Sequence, residues 1–151
     1  MSERVADVAA VERAMVEIRR LQQRRTLARV SQQRSGDRVD PTLTAVVDAV
    51  ERHQPATVSG IAAALGVDQP RASRLVARAV EAGLVERRAD QEDGRRTLLR
   101  LTRTGTRHAG RVHEFRQSMF AEAMADWSPG QVATFARLLT RFVDSYAALT
   151  G

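Results

Sequence analysis

Between Thr57 and Gly83 the apolar residues fall into two short helical sets separated by one glycine, and this stretch constrains the fold more than any other. Thr57 is placed to cap a helix carrying Ile61, Ala62 and Leu65, which Gly66 stops. Threonine accepts the free amides of a first turn, and glycine takes the left-handed conformation that follows a last one. Asp68 is placed to cap the next helix. That helix tolerates Pro70 in its first turn and repeats Ala72, Leu75, Val76, Ala79 and Val80 at helical spacing until Gly83. From Leu84 the period changes: LVERR and RRTLLRLT read as two strands joined by the polar turn ADQEDG.

Apolar residues outside this stretch predict further helices. Val8, Val11, Met15, Ile18 and Leu21 mark a long helix from Val5 to about Gln32. Asp40 followed by Pro41 signals a second start, with Leu43, Val46, Val47 and Val50 on one face as far as about His53. After the hairpin, Thr102 or Thr104 opens a helix to about Asp126. Trp127 to Gly130 then interrupt the chain before a last helix bearing Phe135, Leu138, Leu139, Phe142 and Tyr146. The expected architecture is mainly α with a small β-hairpin wing. A winged helix-turn-helix at 40–103 is flanked by helical regions at 1–39 and 104–151.

Two helices joined by a tight turn let the second enter the major groove of duplex DNA. At 100° per residue the apolar set of that helix shares one side, leaving Arg71, Arg74 and Arg78 together on the other. No acidic residue four positions away relieves them, which favours phosphate or base contact over a plainly solvated face. Gln69, Pro70 and Arg71 lie at the amino-terminal end. There Gln69 matches adenine and the arginines match guanine through paired donors and acceptors. At the hairpin tip, Arg95 and Arg96 stand beside Gly94, in reach of a narrow minor groove, with Asp93 placed to orient Arg95.

All 24 basic residues are arginine and the formal charge is +6, a balance that favours a polyanionic partner. The same excess spread over a solvated surface is the competing account. Cysteine is absent, which removes disulfides, thiolate metal sites and thiol redox sensing. His53, His108 and His113 are scattered and read as surface residues, so neither a metal site nor a cofactor is expected. With no glycine-rich phosphate loop, no histidine paired to a nucleophile and no carboxylate dyad, the chain does not read as an enzyme. Charges every few residues in MSERVADVAAVERAMVEIRR predict neither a leader peptide nor a membrane span, and a cytoplasmic location is expected.

IAAALGVDQPRASRLVARAVEAGLVERR followed by DGRRTLLRLTRTG resembles the MarR family of bacterial regulators. Asp93, Gly94 and Arg95 match that family's Asp-x-Arg wing tip, and Leu101, Thr102 and Gly105 match its Leu-Thr-x-x-Gly opening of the next helix. The resemblance implies that Arg95 probes the minor groove and that Ser73 and Arg74 lie nearest DNA. It also implies an intertwined homodimer built from the first and last helices, facing a roughly palindromic operator, and acting as a repressor released by a small aromatic or phenolic effector. Leu43, Val46 and Val47 with Phe115 and Met119 are the candidate effector lining. The rival reading is an architectural or protein-interaction winged helix whose working surface is its terminal helices.

Overall fold

The computed structural model describes residues 3–23 and 39–151. In chain order its elements are α1 (Glu3–Gln23), α2 (Pro41–Arg52), α3 (Val58–Leu65), α4 (Gln69–Glu81), β1 (Val85–Ala89), β2 (Thr97–Leu101), α5 (Arg103–Ala123) and α6 (Pro129–Thr150). They fall into two compact units, Met1–His113 and Glu114–Gly151. The expected continuation of α1 towards Gln32 lies outside the described residues.

Helix ends sit where short polar side chains satisfy free amides. Asp40 Oδ1 accepts the Thr42 N–H at 2.8 Å, Thr57 Oγ1 accepts that of Gly60 at 3.1 Å, and Asp68 Oδ1 accepts that of Arg71 at 2.7 Å. Gly66 closes α3 at φ 63°, the left-handed region that a side chain would strain. Pro129 and Gly130, expected to interrupt the chain, instead form the first turn of α6. Ser128 Oγ accepts the Gln131 amide and the Gln131 side chain accepts the Ser128 amide, a reciprocal cap that starts the helix at once. The preceding helix ends at Ala123, three residues short of the expected Asp126.

In the first unit β1 and β2 pair antiparallel with Val85 opposite Leu101 and Ala89 opposite Thr97. Ala56 adds a bridge on the other edge of β2, its carbonyl accepting the Leu99 N–H at 2.8 Å. Leu99, held from both sides, is fully buried. One core joins Leu43, Val46, Val47 and Val50 of α2, Ile61 of α3, Leu75, Val76 and Ala79 of α4, Leu84, Val85 and Leu99 around the hairpin, and Ala109 of α5. Burial of this size drives the helices and the hairpin together as one body.

The head of α5 is welded to the turn that follows α4. Thr102 Oγ1 donates to the Gly83 carbonyl at 2.5 Å and accepts the Gly105 N–H at 3.0 Å, while the Thr102 N–H reaches the Leu84 carbonyl at 3.0 Å. Gly105 lies so close to that carbonyl that a Cβ would stand 2.0 Å from its oxygen. One turn on, His108 corrects the sequence reading: it is only 2% exposed, and its Nε2 pairs with Thr44 Oγ1 of α2 at 2.9 Å. The ring faces α2, where the hydroxyl satisfies a polar atom that burial would otherwise penalise. His113 keeps the expected exposure and meets Glu51 of α2 at 2.7 Å.

In the second unit no residue of α6 is buried. Phe135, Leu138, Leu139, Phe142, Val143 and Tyr146 remain exposed along it, as do Val5, Val8, Val11, Ile18 and Leu21 on α1. Trp127 meets the Phe135 ring edge-on at 5.3 Å. No described helix is long and apolar enough to cross a membrane.

Candidate nucleic-acid interface

Helices α3 and α4 make the two arms of the motif, turned by Gly66 and restarted by Asp68. Ala72, Leu75, Val76 and Ala79 of α4 are buried against the core, so the opposite face is outward by necessity. Gln69, Pro70, Arg71, Ser73, Arg74 and Arg78 are all exposed, which brings together every α4 residue expected to face DNA. Among the described residues Arg71 and Arg74 have no carboxylate partner. Their charge is therefore free to meet an anion.

Arg78 differs. Its Nη2 donates to Asp40 Oδ2 at 2.8 Å, a partner thirty-eight positions away that no local spacing reveals. The same carboxylate caps α2 through its other oxygen. The Thr42 amide first, then the Arg78 guanidinium, hold the Asp40 carboxyl below the usual aspartate range by favouring its charged form. Glu81 closes the exposed face of α4 with a negative charge, so the positive field is strongest over the first two turns.

The wing tip is tied by its own backbone. Asp90 N–H donates to the Arg96 carbonyl and Arg96 N–H to the Asp93 carbonyl, both at 2.9 Å. Asp93 was expected to orient Arg95 through the guanidinium; its carboxylate instead accepts the Arg95 backbone N–H at 3.1 Å. An aspartate two residues before an amide closes an Asx turn more readily than it reaches a long side chain. Arg95 is thereby left exposed with no ion-pair partner among the described residues. Arg96 is drawn 4.0 Å from the half-buried Asp90 carboxylate.

The residues expected to line an effector site are divided. Leu43, Val46 and Val47 belong to the core of the first unit, Val46 and Val47 with no exposed surface. Phe115 and Met119 are half-buried on the part of α5 that belongs to the second unit. An open depression of about 590 Å³ at the head of α6, lined by Ser128, Gln131, Thr134, Phe135 and Leu138, carried no motif by which sequence could find it. Among the described residues no three histidine or acidic side chains are placed to hold a metal.

Residues 39–96 match the family model described as the MarR family. No curated protein matches the sequence. A MarR family protein from Bacillus stearothermophilus superposes with a TM-score of 0.74 at 23% identity, over 97% of this chain and 99% of that one. A transcriptional regulator from Thermotoga maritima gives 0.68 at 20% identity, over 93% and 96%. MepR of S. aureus, in a structure bound to ethidium bromide, gives 0.62 at 19% identity, over 87% and 95%. Residues 39–96 thus match the MarR family model, and the chain as a whole carries the fold of the MarR family structures it superposes on.

Proposed function

We propose that the protein is a homodimeric, sequence-specific DNA-binding repressor whose affinity for its operator falls when a small molecule binds. The carrying observation is the exposed, unpaired pair Arg71 and Arg74 on the outer face of α4, with Arg95 unpaired on the wing. Such a set meets a major groove and the minor groove beside it. In this reading Gln69, Arg71, Ser73 and Arg74 face bases and phosphates, Asp93 shapes the wing tip and Arg95 probes the minor groove. Pro70 starts the helix, and Arg96 supports the tip from its Asp90 contact.

The homodimer is supported by α6, an amphipathic helix with no buried residue, and by the matching uncovered stripe on α1. Apolar stripes of that length seldom stay in water. A twofold pair of α4 helices would read half-sites about one helical turn apart, which is the reason for a roughly palindromic operator. Control by a small aromatic or phenolic molecule is supported by the fold shared with the ethidium-bound MepR. Effector binding then favours a dimer whose α4 helices no longer fit that spacing.

The test is fluorescence anisotropy with duplexes tiled across the DNA upstream of the protein's own gene, titrated with salt. Preference for one duplex over random sequence is expected, with affinity falling by about 0.9 log units per log unit of salt for each phosphate contact. Equal binding to random duplex at every salt concentration would refute the regulator and leave the protein-interaction module standing. Phenols added to a formed complex should release the duplex.

A further inference from the structure

We propose that Arg78 is a positioning residue rather than a DNA contact, and that Asp40 sets the angle at which α4 presents Arg71 and Arg74. The inference rests on the DNA-binding reading above. Asp40 stands at the junction of two structures: one oxygen caps α2 and the other receives Arg78 from the third turn of α4. The two helices also pack together, with Val46, Val47 and Val50 of one and Leu75, Val76 and Ala79 of the other in the same core. Aliphatic packing sets the distance between two helices but resists rotation about the axis weakly, because it is not directional. A charged hydrogen bond at the edge of the contact is directional and fixes that rotation.

Arg78 shares its face with Arg71 and Arg74, at about 20° and 40° around the helix. Helix and side chains together have a radius of about 5–6 Å, so a 20° turn sweeps an exposed side chain by about 2 Å. A base-edge hydrogen bond works over a window of about 0.5 Å, whereas a phosphate contact tolerates more. Loss of the Asp40 tie should therefore damage discrimination between sequences more than affinity for DNA in general. The opposite account is that Asp40 merely competes with phosphate for Arg78. Removing its charge would then tighten binding to every duplex.

Asp40→Asn separates the two, because asparagine caps helices as well as aspartate and the variant gains one unit of positive charge. Binding is measured to a duplex selected by the wild-type protein from a random pool and to the random pool itself. The preference for the selected duplex should fall about five-fold or more while random binding is unchanged or tighter. Arg78→Met should lose preference similarly with the salt slope unchanged, and the double variant should lose no more than either single one. By contrast, Arg71→Ala should lower the slope by about 0.9. Tighter selected binding by Asp40→Asn, or a slope lowered by Arg78→Met, overturns the inference and makes Arg78 a phosphate contact. A wild-type protein with no preference overturns the regulator reading and this inference with it. Preference kept in full by Asp40→Asn overturns this inference alone.

Discussion

Gly105→Ala and Gly110→Ala, five residues apart on α5, should move stability in opposite directions. Alanine is the better helix former, by up to about 1 kcal/mol over glycine in a helix interior. At Gly110 a Cβ meets nothing within 4 Å, so that gain is realised and Tm should rise by roughly 1–4 °C. At Gly105 the Cβ would stand 2.0 Å from the Leu84 carbonyl oxygen and 2.9 Å from its carbon. Restoring contact distance requires the oxygen to retreat by about 1 Å, which stretches its bond from the Thr102 N–H beyond hydrogen-bonding range. A buried acceptor left without its partner costs about 1–3 kcal/mol, and forced separation of packed backbone costs about as much again. Set against the propensity gain, the net loss is about 3 kcal/mol, or a Tm lower by roughly 6–12 °C in a chain of this length. Thermal melts followed by circular dichroism at one fixed protein concentration would measure both, since association makes Tm concentration-dependent. A Gly105→Ala protein melting at or above the wild type would refute the reasoning, as would shifts of the same sign at both positions.

Three further outcomes are expected. Arg95→Ala should weaken DNA binding and reduce the salt slope, whereas Arg96→Ala, whose guanidinium leans on Asp90, should do less of both in the same anisotropy titration. Asp40 has its carboxyl pKa depressed in the folded protein, so the stability it adds is present above its unfolded value near 4 and is lost as pH falls through the folded value. The Tm gap between wild type and Asp40→Asn should therefore be open at neutral pH, by about 1–3 °C for so exposed a pair, and should close below about pH 4. On the proposed homodimer, Leu138→Arg with Phe142→Arg should leave only monomer by light scattering, because a charge on an apolar seam opposes its burial. A dimer that survives both changes would remove α6 from the interface.

Much of this fold was legible because helix starts and stops follow local grammar. Asp40, Thr57 and Asp68 precede their helices within three residues of the amides they cap, and Gly66 ends one by a backbone angle few other residues adopt. The outward face of α4 was equally readable, since burial of Ala72, Leu75, Val76 and Ala79 dictates it. What escaped depended on partners remote in sequence. His108 was read as a surface residue because its hydroxyl partner Thr44 lies sixty-four positions away. Arg78 looked as free as Arg71 and Arg74 because Asp40 belongs to another helix. At Ser128 two local signals conflict: Pro129 and Gly130 suggest a break, whereas serine followed three residues later by glutamine signals a helix start, and the reciprocal cap prevails.

The joint between Thr102, Gly105 and the turn at Gly83 and Leu84 bears on where this protein can be cut. The motif suggests a DNA-binding module ending near residue 103, yet Gly105, His108 and Ala109 are buried in the same body as α2 and α4. A fragment stopping at Thr104 would strip Gly105 from the Leu84 carbonyl, remove Ala109 from the core and strand Thr44 without its imidazole. A portable winged-helix module for grafting onto another protein therefore extends through His113, where the first compact unit ends. The opening turns of α5 would travel with it as its lid.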